Sequence, residues 1–337
     1  PVTRATLPSS ENWGRSIDTS VRRIRRRGYH ALRFSDRDRC GQQSPLVGYG
    51  WFAPVHRPGF EVHRRDEEGN MSRVTELLAC RHPVLQGAMG VISNPEMVAA
   101  VSEAGGFGLL ATAFAPDLET VRRQIRATKT LTDKPFGANL QVMNANTLQI
   151  SELLADEGVP AATISGGSPK ALIPLLKEKG IKALVVVPTV AVARKAAQMG
   201  ADAIIAEGSE SGGIQGLAGA STMVLVPAVV DAVDVPVIAA GGIGDSRSYR
   251  AALALGAEGV QVGTRFIACR ECVAHAKYKK AILESNETGT GLLHMGRFQV
   301  RALRTPLVEE VLGSGKAAAA AYGGGSLEAS WIDGDLS

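Results

Sequence analysis

The chain has 337 residues, 45% of them hydrophobic, with 38 glycines and only 5% aromatics; a Val/Ile/Leu/Ala core with many glycine turns fits one large parallel α/β domain. Its charge of +4 is uneven: residues 1–70 hold 13 of the 37 basic residues (all Arg) and 8 of the 33 acidic ones, which leaves 24 basic and 25 acidic in the rest. A near-neutral body argues against nucleic-acid binding, no apolar run approaches the roughly 20 residues of a membrane span, and four cysteines make no disulfide framework; a cytoplasmic location is expected.

Residues 1–70 sustain neither a helical nor a strand period. They hold an arginine cluster (Arg22, Arg23, Arg25, Arg26, Arg27) and two of the three Trp. A basic arm that binds nucleic acid, a transit peptide and non-native upstream sequence compete. Transit peptides are poor in acids, and Asp36, Asp38, Asp66, Glu67 and Glu68 stand here. The third reading is preferred, and a disordered extension is expected. The texture changes at Met71.

From residue 83 one unit repeats: a short apolar run, a polar or glycine-rich turn, then a segment of helical period. The runs predict strands at 83–88, 107–111, 136–142, 161–165, 183–187, 203–206, 236–240 and 259–262. Helices are predicted at 95–103, 117–127, 169–178, 191–199, 223–233 and 246–255, several ending in Gly as helix C-termini often do. Eight such units predict a (β/α)8, or TIM, barrel over residues 71–284. The remainder, 285–337, reads as an insertion and a truncated C-terminal helical segment packing on the barrel.

The chemistry gathers at predicted strand ends. Gly241-Gly242 follows the seventh strand, and Gln261-Val262-Gly263-Thr264 closes the eighth. Gly there lets backbone N–H groups approach a phosphate, and the Thr264 hydroxyl adds a donor. Each loop alone could be a tight turn; the pair after the last two strands favours a phosphate site. The loop Glu207-Gly-Ser-Glu-Ser-Gly-Gly-Ile-Gln-Gly carries four glycines in ten residues and reads as a lid or cradle. Asn139, a polar residue in the third strand, is either a structural hydrogen-bonding group or a ligand contact. Gly87-Ala88-Met89 offers backbone amides and a soft side chain to a flat ring.

Residues 71 to about 310 resemble the nitronate monooxygenase (2-nitropropane dioxygenase) family, which includes the FabK-type flavin enoyl-ACP reductases. The matching stretches are Gln86-Gly-Ala-Met, Ala104-Gly-Gly-Phe-Gly, Lys134-Pro-Phe-Gly-Ala-Asn, Ala206-Glu-Gly-Ser-Glu-Ser-Gly-Gly, Ala239-Ala-Gly-Gly-Ile and Val260-Gln-Val-Gly-Thr-Arg-Phe. The resemblance implies FMN, with contacts at Gly87, Ala88, Met89, Asn139, Glu207, Gly212, Gly213, Gly241, Gly242, Gln261, Val262, Gly263 and Thr264. It implies oxidation of alkyl nitronates with O₂, or reduction of an enoyl thioester with NADH or NADPH as donor and acyl carrier protein as partner, and a homodimer.

One departure matters. The family loop carries a catalytic His where this chain has Ile214, and Ile neither takes nor gives a proton. Loss of turnover, leaving an FMN-binding pseudoenzyme, is a third expectation. His294 is a weak substitute acid or base. Cys269 and Cys272, with His275 nearby, fall short of the roughly four ligands of a zinc site, and no metal is expected.

Overall fold

In the computed structural model, which describes residues 72–314 and 329–336, strand and helix alternate from the first barrel strand onward. In chain order the strands are β1 (Val84–Gln86), β2 (Leu109–Ala111), β3 (Gly137–Gln141), β4 (Ala161–Ser165), β5 (Lys182–Val187), β6 (Ala203–Glu207), β7 (Gly213–Gln215), β8 (Val237–Ala240), β9 (Gly259–Val262), β10 (Thr290–Met295) and β11 (Phe298–Leu303). Eight of them form one parallel sheet in the order β1-β9-β8-β6-β5-β4-β3-β2. The sheet closes on itself where Gln86 N–H donates to the Phe107 carbonyl (3.0 Å) and Phe107 N–H to that of Val84 (2.9 Å). This is the (β/α)8 barrel that the eight units predict.

Alternation along each strand sorts the side chains into two layers. Outward residues such as Leu110, Leu140, Ile164, Val185, Ile204 and Val260 pack against the helices. Inward residues fill the barrel: Leu85, Phe107, Leu109, Leu184, Ile205 and Ile238 are buried together. The helix Arg73–Leu78 joins the inward layer through Val74 and Leu78. It sits under the N-terminal strand ends, where the Ser72 hydroxyl donates to the Glu258 carbonyl (2.8 Å) and Arg73 pairs with the Glu258 carboxylate. That plug leaves the C-terminal rim as the open end.

Two predicted strands, 161–165 and 259–262, match β4 and β9 to the residue. The first is shorter than predicted, because the chain turns onto the rim at Gly87. The expected disordered extension of residues 1–70 lies outside the described residues. The boundary drawn at 284/285 runs through a second sheet, in the order β10-β11-β7, which joins the barrel's own loop to the hairpin beyond it. Met295↔Phe298 closes that hairpin around Gly296-Arg297, with Gly296 at φ +70°, the left-handed geometry of a two-residue hairpin turn. The described C-terminal residues hold a helical turn, Ala329–Asp333. Among the described residues no helix is long and apolar enough to cross a membrane.

Candidate active site at the barrel rim

The upper end of the barrel interior is polar. Asn139, Glu207 and Gln261 alternate with the outward residues Leu140, Ala206 and Val262, so they point inward at the C-terminal ends of β3, β6 and β9. Asn139 Oδ1 accepts from the hydroxyls of Thr163 (2.9 Å) and Ser165 (3.2 Å), and its carbonyl from Thr112 (2.7 Å). Of the two roles left open for Asn139 the structural one is present, with Oδ1 committed to the barrel, while Nδ2 has no partner among the described residues. The Gln261 amide and the Thr264 hydroxyl are likewise uncommitted there.

The loops above this floor converge. An added Cβ at Gly87 would lie 3.4 Å from the Gln261 side chain, and one at Gly263 would lie 3.5 Å from Met89 Sδ. One at Gly212 would lie 3.8 Å from the Thr264 hydroxyl. Gly241 has φ +103° and Gly242 +70°. A Cβ at Gly241 would press on the Thr222 hydroxyl (2.9 Å) and on the Gly208 carbonyl and Ser211 N–H (3.0 Å each). The loops after β1, β6, β8 and β9 therefore meet edge to edge, with small residues at each contact. Ala88 packs against the inward core. Val262 differs from its neighbours: its side chain is buried in the outer layer and its carbonyl accepts from Gly87 N–H (2.9 Å).

The glycine-rich segment after β6 is less of a free loop than its composition predicts. Gly213–Gln215 pairs with β11, Ile214 opposite Val300. Gln299 Nε2 donates to the Gly216 carbonyl (3.1 Å), and Arg301 Nε to that of Ser209 (2.8 Å). The hairpin thus braces the lid from behind, and Ile214 is left 44% exposed. His294 is exposed on β10 opposite Gln299, with β11 standing between it and β7.

Glu207 is the site's distinctive charge. Oε1 accepts from the Ser211 hydroxyl (2.7 Å), and burial pushes the carboxyl up to about 7, against the smaller opposing effect of that hydrogen bond. At the opposite extreme Asp245 caps the helix Ser246–Ala254. There Arg247 and two backbone N–H groups hold its carboxyl down at about 2. Cys269 and Cys272 carry free thiols raised by burial, the reverse of a reactive cysteine. Among the described residues no cluster of three His, Cys, Asp or Glu side chains could hold a metal ion.

The chain's C-terminal part also reaches the site. His275 N–H donates to the Trp331 carbonyl (2.7 Å), and the Trp331 ring lies on Gly90, where a Cβ would collide with its Cζ3. Trp331 thereby clamps the turn Gly90–Ile92 beside Met89.

Small-residue turns after the last two barrel strands, above a floor of unspent donors, make the C-terminal rim the candidate active site of a barrel enzyme. The chain belongs to the nitronate monooxygenase family, which it matches over residues 71–332, and it is an oxidoreductase. It is 39% identical over 246 residues to a (3aS,4S,5R,7aS)-5-hydroxy-7a-methyl-1-oxo-octahydro-1H-indene-4-carboxyl-CoA dehydrogenase of Rhodococcus jostii, covering 72% of this chain and 68% of that one. It is 35% identical over 264 residues to a probable nitronate monooxygenase of Staphylococcus saprophyticus, covering 65% and 74%. Among solved structures, FabK from Thermotoga maritima superposes with a TM-score of 0.73 at 39% identity, covering 79% of this chain and 86% of that one.

Proposed function

We propose that this protein is an FMN-dependent oxidoreductase of acyl thioesters. The observation that carries this reading is Ile214. Where the family's nitronate chemistry relies on a His, this rim presents an exposed aliphatic side chain on a braced strand. General-base catalysis typically contributes about 10²–10⁴-fold, so the usual nitronate route loses its main device. Relatives at 39% identity support the thioester: one is named as a carboxyl-CoA dehydrogenase, another is FabK.

The residues fit FMN. Gly241, Gly242, Gly263 and Thr264 would hold its phosphate, and Gly212 and Gly213 leave room beside it. Asn139 Nδ2 and the Gln261 amide would face its polar edges, with Gly87, Ala88 and Met89 along the ring. FMN supplies the hydride acceptor or donor; the protein supplies orientation and electrostatics. The exposed Ile214 gives an acyl chain an apolar wall. In the reducing direction the electrons come from NADH or NADPH.

Oxidation of alkyl nitronates is the second reading, favoured by the probable nitronate monooxygenase among the relatives. The pseudoenzyme expectation finds no support, since each relative described above is named as an enzyme or is FabK.

The test is the visible spectrum of the purified protein without oxygen. Bleaching by a saturated acyl-CoA, or by NAD(P)H with reoxidation by an enoyl thioester, supports the proposal. Bleaching by an alkyl nitronate alone favours the second reading. A folded protein that takes up no FMN overturns both.

A further inference from the structure

With Ile at position 214, the proton of a thioester reaction needs another carrier. Glu207 stands at the inward, C-terminal end of β6, a residue of the barrel's polar floor. Beside it a partly enclosed cavity of about 10 Å³ is lined by Pro188, Glu207, Gly208, Ser209, Gln215 and Gly216, among others. Gln215 is only 5% exposed. Its Nε2 donates to the Ser209 carbonyl (3.2 Å) and to that of Ser211, yet its buried Oε1 has no partner. A buried acceptor without a donor calls for a water, and the cavity has room for one. Gln215 and Glu207 both line that cavity, so the acceptors such a water would serve are Gln215 Oε1 and the Glu207 carboxylate.

We propose that Glu207, acting through a water held between it and Gln215, exchanges the proton at the carbon next to the thioester carbonyl. This rests on the thioester reading above. In the forward step the C–H bond breaks and its electron pair stays on the substrate as the enolate. The proton passes to the water, and a proton of the water passes to the Glu207 carboxylate. The reverse step returns it. Gln215 is a positioning residue, because it touches the water and not the substrate.

The group suits the task, since a carboxyl raised to about 7 is near the best value for proton exchange at neutral pH. The flanking strands bring no charge to it: β6 lies between β5 and β8, with Glu207 opposite Ala240. The charged groups nearby are Glu210, which accepts from Thr222 N–H (2.8 Å), and Arg301, which is held by the Ser209 carbonyl and Thr290.

The experiment follows exchange of the α-proton of cyclohexanecarboxyl-CoA in D₂O by NMR, with FMN bound and no electron donor. FMN uptake and binding of the same thioester are measured separately. The FMN-free protein with ¹³C-carboxyl glutamate is titrated alongside. One glutamate resonance titrating near 7, absent in Glu207→Gln, is expected. At saturating FMN and thioester, that variant should exchange at least about 100-fold more slowly than wild type. Wild-type exchange should rise with pH through a midpoint near 7; Gln215→Leu should slow it roughly tenfold and move the midpoint upward, since the carboxylate loses its water. If Glu207→Gln fails to fold, Glu207→Asp serves instead, with slowed exchange that still follows a carboxyl midpoint. Undiminished exchange in Glu207→Gln, or no exchange in wild type that binds the thioester, overturns the proposal. A wild type that binds FMN but no thioester overturns the thioester reading itself, and this proposal with it.

Discussion

Glu207 ties protonation to stability. Its folded value of about 7 lies above the ordinary 4.5, so the folded state binds the extra proton between those limits. Stability credited to this group is present below about 4.5 and is lost as pH rises through 7. Two and a half pKa units correspond to about 3 kcal/mol at most. Glu207→Gln, measured as FMN-free protein by urea unfolding, should match wild type near pH 5 and exceed it near pH 8; a constant difference across that range would mean the carboxyl is not buried. Gly241→Ala acts at the same scale by a different force. The left-handed backbone and the contacts at 2.9–3.0 Å leave a methyl no place. A loss of about 1–3 kcal/mol in unfolding free energy is expected, with at least tenfold weaker FMN binding by fluorescence titration. The sequence marks both residues, but not their behaviour. Glu207 reads as a polar contact, and only burial by segments far along the chain makes it a weak acid. Val262 behaves differently from its neighbours: it sits within the Gln261–Thr264 motif, yet strand alternation turns its side chain into the outer layer.

Among the elements, the eight barrel strands were legible because a parallel strand covered on both faces is a run of apolar residues with nothing to dilute it. The second sheet was not. Gly213–Gln215 has the composition of a loop, and its strand character comes from a partner contributed by Phe298–Leu303. A local signal for that hairpin did exist: Gly296-Arg297 between alternating Leu293-His294-Met295 and Phe298-Gln299-Val300. The brace has a measurable consequence. In Gln299→Ala the Gly216 carbonyl loses its donor, one hydrogen bond of about 0.5–1.5 kcal/mol net. Limited proteolysis within the segment between Glu207 and Ser221 should accelerate several-fold, while the midpoint of global unfolding shifts little, because the barrel core is untouched. An equal change in both would mean that sheet and barrel unfold as one unit.

Across the whole molecule, the site is assembled from both ends of the described chain. The plug Arg73–Leu78 seals the lower end, which leaves one face for chemistry. At that face the turn after β1 is held by Trp331. Trp331→Ala should leave the barrel folded, with an unchanged far-ultraviolet signal, and weaken FMN binding roughly tenfold, equivalent to about 1.4 kcal/mol. Equal affinity in the variant would show that Gly90–Ile92 holds its shape without the indole. The resemblance in the sequence named the rim's glycine turns, which the structure brings side by side. It gave no hint of this clamp, because a contact between the first strand's turn and the last described helical turn leaves no trace in local pattern.

That clamp has a consequence in time. On the ribosome every barrel strand is made before Trp331, so a nascent chain can close its sheet while the turn beside Met89 still lacks the ring that lies on Gly90. Clamping of that turn should therefore trail barrel closure during synthesis, and the rim reaches its described shape only once the chain beyond the strands, as far as Trp331, has been made.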